Sequence, residues 1–187
     1  MTLKEKYQKQ IIPALKEKFG YKNNLETPRL VKVVVNIGVG KYREDNAALQ
    51  DIENDLTLIC GQKAVKTFAK KAISAFKTRK GSHVGFKVTL RGNRMYDFTS
   101  RLVNLALPRT RDFRGLDPKA IDQAGNLSVA IKEHIVFPEI SHENVRLIFG
   151  LEAVFVSSAK TREEALEFFR LFGFPLRGLM SKDQPKQ

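Results

Sequence analysis

The chain has 187 residues, 42% of them hydrophobic, and 33 Lys and Arg against 20 Asp and Glu, a formal net charge of +13. That length and apolar content suffice for the core of one domain, and the charge makes polyphosphate the default partner. The single cysteine, Cys60, excludes an internal disulfide and a cysteine-rich zinc site, no stretch approaches the roughly 18 apolar residues of a membrane span, and no lipidation motif or long basic amphipathic helix suggests a membrane surface.

Residues 2–19 read as a helix. Thr2 and Glu5 can form a capping box, Tyr7, Ile11, Leu15 and Phe19 recur at helical spacing, and Gly20 can close it. Pro13 inside it predicts a kink. The first apolar run is short and set among lysines and glutamates, so no secretory signal is expected. After a polar loop, Arg29–Gly40 alternates as a strand. Val31, Val33, Val35 and Ile37 form its core face, and Lys32, Val34, Asn36 and Gly38 the other, which suits close approach to a partner. Gly38-Val39-Gly40-Lys41 lacks the spacing and the hydroxyl residue of a phosphate loop. Residues 44–59 form a helix with Ala48, Leu49, Ile52, Leu56 and Ile59 inward and Glu44, Asp45, Asp51, Glu53 and Asp55 on its polar side.

Cys60–Arg94 then carries ten Lys and Arg, with no Asp or Glu between Asp55 and Asp97. Such a run repels itself unless a polyanion faces it. Gln62–Thr67 reads as a short strand, 68–82 as a basic loop closed near Gly81, and Phe86–Arg91 as a clean strand. In the last, Phe86, Val88 and Leu90 point one way and Lys87, Thr89 and Arg91 the other. A solvated face of a one-sided antiparallel sheet alternates in the same way. The matching chemistry of Lys32 and Asn36 on a different strand favours a nucleic-acid surface.

Asn93 can cap a helix running to about Leu107, with Met95, Phe98, Leu102 and Leu105 inward and Pro108 stopping it. The loop from Arg109 to Pro118 sets three arginines around Phe113. It suits RNA or protein contact, or equally a surface loop anchored by its aromatic ring. Asn126–Ile131 reads as a strand, 132–150 as irregular, and Leu151–Ser157 as an apolar strand. Thr161 and Glu164 open a helix with Leu166, Phe169 and Phe172 inward, closed by Gly173. This order predicts one α+β domain over 1–180, in an N-terminal part (1–82) and a C-terminal part (83–180), with helices on one face of a mainly antiparallel sheet. Residues 181–187 form a polar tail, expected to be disordered.

Nothing in the chain composes an active site. His134 and His142 are eight apart, too loose for a helical metal pair. Ser74–Lys77 and Ser157–Lys160 both match a Ser-x-x-Lys pattern, which shows how cheap that pattern is in a basic chain. Cys60 has no local base and reads as a small buried residue. A nuclease would need carboxylates, and the basic region has none. A non-enzymatic protein without metal or cofactor is expected. A DNA-binding architectural module is disfavoured, because the cations alternate on strands rather than lining a recognition helix.

Several segments carry a resemblance. Pro28–Gly40, Leu58–Ile73, Gly85–Gly92, Arg111-Asp112-Phe113-Arg114-Gly115-Leu116 and Phe172-Gly173-Phe174-Pro175-Leu176 resemble, in order and over nearly the whole chain, the large-subunit ribosomal protein five family of bacterial type. The resemblance implies a curved antiparallel sheet with helices on its convex face. It implies a ribosome-bound, cytoplasmic monomer that fixes 5S ribosomal RNA in the central protuberance of the large subunit, beside 23S-type ribosomal RNA and other 5S-associated proteins. By motif, Asn36, Gln62 and Thr89 would grip 5S RNA, with Lys32, Lys63, Lys66, Lys87 and Arg91 neutralising phosphate. Lys63 and Lys66 cannot share a strand face, so one of them is left for the edge. The loop bearing Lys70, Lys71, Ser74, Phe76, Lys77, Arg79 and Lys80 resembles the family's contact to peptidyl-site tRNA, and is expected to be unstructured off the ribosome. Arg109, Arg111, Asp112, Phe113 and Arg114, with parts of 134–146, are candidates for a bridge to a protein of the small-subunit head. Phe68 and Phe76 make the basic loop more aromatic than the family pattern, and either base stacking or anchoring of the loop would explain them.

Overall fold

Five strands, each antiparallel to its neighbours, make a single sheet in the order β2-β3-β1-β5-β4. They are β1 (Leu30–Gly38), β2 (Val65–Phe68), β3 (His83–Leu90), β4 (Leu127–Ile131) and β5 (Leu151–Ser157). A computed structural model describes residues 1–111, 113–141 and 145–178. Asp112, His142 and the polar tail therefore lie outside the described residues.

Among the described residues, four helices pack on one face of the sheet. Helix α1 runs as Leu3–Lys6, a π turn at Tyr7–Ile11 and Ile12–Phe19. Helix α2 is Asn46–Cys60, and α4 is Arg162–Phe172. Helix α3 runs as Gly92–Arg101, a π turn at Leu102–Ala106 and Leu107–Arg109. The capping signals act largely as expected. Thr2 and Glu5 form their box and Thr161 accepts from the Glu164 amide, whereas Asp45, expected on the polar side within its helix, instead caps it by accepting from the Ala48 amide. Arg91, rather than Asn93, precedes α3, and the Asn93 side chain instead accepts from Lys4 Nζ at 3.2 Å.

The two helical prolines behave alike. Pro13 and Pro108 each follow a π turn by two residues, with Ile12 N–H donating to Tyr7 O and Leu107 N–H donating to Leu102 O. A proline ring presses on the carbonyl four residues back, and the wider π turn takes up that crowding. The helix therefore continues through Pro108 to Arg109 instead of stopping there.

The core is one continuous cluster. Val33, Val35, Ile37, Phe86, Val88, Leu90, Val129 and Phe155 are buried from the sheet, against Ile52 and Leu56 of α2, Phe98 and Leu102 of α3, and Phe168 and Phe169 of α4. Val31 departs from the expected face. The β1–β5 register shifts between Leu30 and Lys32, so Val31 is the extra residue of a β-bulge and stands exposed, and buried Leu30 takes its place in the core. From Lys32 onward the expected alternation holds.

Candidate nucleic-acid interface

The face of the sheet away from the helices is open, and its register can be read across all five strands. Residues opposed in an antiparallel ladder share a face. Val65, Lys87, Asn36, Glu152 and Ala130 therefore form one row. Thr89, Val34, Val154 and Ser128 form the next, and Thr67, Gly85 and Gly38 a third. Most of these side chains are small, and most are exposed or half-exposed. The surface is shallow, bearing short hydroxyl and amide groups with a few cations, Lys32 and Lys87 among them. It is less basic than the sequence suggests, since Glu152 stands directly opposite Asn36.

Asn36 and Thr89 are diagonal neighbours on this face, in successive rows two rungs apart on the β1–β3 ladder. Gln62 joins them from just before β2. Its amide nitrogen donates to the Thr89 carbonyl at 3.3 Å, and its amide oxygen accepts from Arg94 Nη1 at 3.4 Å. The orientation of Gln62 is thus fixed by a backbone acceptor on one side and a guanidinium on the other. Arg91, at the end of β3, reaches the carbonyl of the bulged Val31 at 3.4 Å. No spacing rule singles out Arg94 from the other cations; its proximity to Gln62 is set by the entry of α3.

The two lysines around β2 separate. Lys66 opposes buried Phe86, so it points to the helix side, where its Nζ lies 3.6 Å from Glu53 Oε2. Lys63 is exposed and precedes the strand, bordering a groove with Gln50, Asn54, Thr57 and Leu58 of α2. Neither sits in the rows of the open face.

Beyond β2 and β3 the basic loop is a folded arm. Ala69 and Ser82 continue the pairing, and Ile73 and Thr78 exchange two backbone hydrogen bonds of 2.9 and 3.1 Å. The tip is a 3₁₀ turn at Ser74–Phe76 followed by Lys77. Lys70, Lys71, Ser74, Phe76, Lys77, Arg79 and Lys80 are all exposed. The two aromatics differ. Phe68 lies 5.8 Å from the His83 ring, which in turn meets Phe86 edge-on, whereas Phe76 is 71% exposed.

The arginine loop after α3 is held by the closing segment of the chain. Leu116 N–H donates to Pro175 O at 2.7 Å, and Arg177 N–H donates back to Leu116 O at 2.8 Å. Two motifs 60 residues apart therefore form one structure. Gly115 sits at φ +90, and a Cβ there would meet the Pro175 carbonyl at 3.1 Å. Phe113 packs half-buried against the core, while Arg109, Arg111 and Arg114 are exposed.

The titratable groups described on the helix side are structural. Burial pushes the Cys60 thiol up to about 12, leaving it an inert thiol. His134 is fully buried, stacks on Phe149 at 3.9 Å, and accepts from the Phe149 amide through Nδ1. Desolvation lowers its pKa despite Asp55 nearby, so it is a neutral core residue. Among the described residues no group of three or more His, Cys, Asp or Glu could hold a metal ion.

Comparison with known proteins covers most of the chain. A family model described as ribosomal protein L5 matches residues 23–79, and one described as the C-terminus of the same ribosomal family matches residues 83–176. The chain is 50% identical over 173 residues to the large ribosomal subunit protein uL5 of Thermoanaerobacter sp. (strain X514), covering 92% of this chain and 97% of that one. It is 53% identical over 177 residues to the protein of the same name from Fervidobacterium nodosum, covering 95% and 96%. Against that of Syntrophomonas wolfei it is 53% identical over 175 residues, covering 94% and 98%.

Proposed function

This chain belongs to the ribosomal protein L5 family, and on that premise we propose that the open face of its sheet binds 5S ribosomal RNA in the central protuberance of the large subunit. The chain is a structural, non-enzymatic constituent of the large ribosomal subunit and works in translation on the cytoplasmic ribosome. What carries the finer reading is the convergence of Asn36, Thr89 and the tethered Gln62 on one uncovered, shallow surface. Short polar groups on such a surface can approach sugar 2′-hydroxyls, phosphates and base edges closely. Lys32, Lys87 and Arg91 stand around them and supply sequence-independent attraction.

Two further contacts complete the proposal. The arm bearing Lys70, Lys71, Ser74, Phe76, Lys77, Arg79 and Lys80 meets peptidyl-site tRNA, a partner that must be accepted whatever its sequence. The exposed Arg109, Arg111 and Arg114, on the loop anchored by Phe113 and Leu116, face the small-subunit head. On this reading Lys66 and Lys63 serve the edge and the α2 side rather than the 5S face.

The test is a binding series with 5S RNA, an unrelated RNA of the same length and duplex DNA across a range of salt. Tighter binding to 5S RNA at every salt concentration is expected. Equal binding to all three would reduce the protein to a charged surface and contradict the proposal. Neutralising Lys70, Lys71, Lys77 and Arg79 is expected to leave 5S binding largely intact and to weaken tRNA binding. Loss of 5S binding would show that the two contacts are not separate.

A further inference from the structure

Arg43 belongs to no motif, yet its guanidinium ties two loops together. Nε donates to the Gly40 carbonyl at 3.1 Å, next to the end of β1. Nη1 donates to the Lys77 carbonyl at 3.2 Å and the Thr78 hydroxyl at 3.1 Å, and Nη2 donates to the Phe76 carbonyl at 3.1 Å. All four acceptors are neutral, and three belong to the tip of the basic arm. A planar fork of donors can reach such a set at once, whereas a lysine ammonium cannot reproduce it.

What the fork captures is an unusual piece of backbone. Lys77 has φ 49, the single positive value at a non-glycine among the described residues. That conformation is uncommon for an L residue and persists where its surroundings hold it. With the carbonyls on both sides of the turn drawn to Arg43, the Phe76 ring stands 71% exposed. Beside it on the tip a groove is lined by Ala72, Ser74, Lys77, Thr78 and Arg79.

An exposed aromatic ring among cations fits one kind of RNA feature, an unstacked base with phosphates on either side. Within a paired helix each base face is covered by its neighbours, and only the two terminal pairs expose one. Resting on the reading of this arm as an RNA contact, we infer that Arg43 is a positioning residue that holds Phe76 outward as a stacking platform for an unpaired base. The arm then does more than add charge. It recognises an open loop of RNA by shape, independently of base identity, because every base has a π-face.

The chain has no tryptophan, so Phe76→Trp places a sole reporter at the tip of the full-length protein. In that background Arg43→Ala and Arg43→Lys are each expected to lower the fluorescence anisotropy of the free protein. Unacylated tRNA is expected to quench the tryptophan, and a blunt RNA duplex of similar length is not. In the parent protein, without the tryptophan, Phe76→Ala and Arg43→Lys should each weaken tRNA binding roughly tenfold and leave 5S binding unchanged. Unchanged anisotropy in Arg43→Ala would overturn the positioning role. Equal quenching by duplex and tRNA, or full tRNA affinity in Phe76→Ala, would overturn the stacking role. If the variant lacking the arm's cations keeps full tRNA affinity, the RNA reading of the arm fails, while the anisotropy still decides the part of Arg43.

Discussion

Lys66 and Lys87 lie on adjacent rungs of the β2–β3 ladder, and that single step sends their charges to opposite faces. Lys66 meets Glu53, and Lys87 shares a row with Asn36. Lys87→Gln is therefore expected to lower the slope of 5S affinity against salt by about 1, the effect of one lost phosphate contact. Lys66→Gln should leave that slope unchanged; equal effects in the two variants would place the RNA on the wrong face. The alternation of Phe86–Arg91 made the face of Lys87 legible in the sequence, because one face of that strand is wholly apolar. The short strand Val65–Phe68 has no such face, since Val65 and Phe68 are 61% and 56% exposed, and its parity could not be read from pattern. Arg43 and Arg94 escaped for another reason. Each acts through backbone or side-chain acceptors distant in sequence, and no local spacing encodes that.

At the scale of elements, the strands and helices were legible wherever apolar periodicity was strong, as in Leu151–Ser157, where expected and observed bounds coincide. The irregularities were not. The bulge at Val31 leaves a valine in the sequence where a core residue is expected, and only the β5 register shows it to be an insertion. A π turn precedes Pro13, where a kink is expected, and another precedes Pro108 and carries the helix past the expected stop. The sheet also has a point of close approach at Gly85, where a Cβ would lie 2.5 Å from the Ile37 carbonyl and 3.1 Å from the Thr67 hydroxyl. The first distance is to backbone and cannot be relieved by a rotamer change. Gly85→Ala is therefore expected to force β3 away from β1 and to lower the unfolding free energy by about 1–3 kcal/mol, the range for overpacking. Chemical denaturation measures this. A wild-type midpoint would mean that the sheet is more pliable than its register implies. Because Gly85 lies on the open face beside Lys87, a folded variant should also bind 5S RNA less tightly.

For the whole molecule, the helices with their mixed charge lie on one side of the sheet, and the polar, cation-flanked surface lies on the other. The two ends of the chain are joined through Glu167 of α4, which lies 2.8 Å from Lys18 of α1 and pairs with Arg170. Burial alone would raise the Glu167 carboxyl, but hydrogen bonds from Arg170 and Lys18 outweigh it and hold the group below its ordinary value. Its folded pKa is depressed, so its contribution is complete above the unfolded value near about 4.3 and is lost as pH falls through the folded value. Glu167→Gln should flatten the acid limb of the stability curve below about pH 5 and cost about 1 kcal/mol at neutral pH, since Lys18 is solvent-screened. An unchanged acid limb would mean that other carboxylates set it. The charge of the chain was legible from composition, but its division was not. The open face gains Glu152 from a strand more than 100 residues away from Asn36 in sequence. Uncharged groups are therefore left to discriminate between RNAs, with the cations supplying attraction around them.

The most direct measurement of that division is the 5S RNA affinity of Asn36→Ala and Thr89→Ala over a range of salt. A loss of about 1–3 kcal/mol is expected, the range for a specific polar contact to nucleic acid, with a salt slope identical to that of the parent. Affinity unchanged in both variants, or a loss that appears only as a shallower slope, would contradict it.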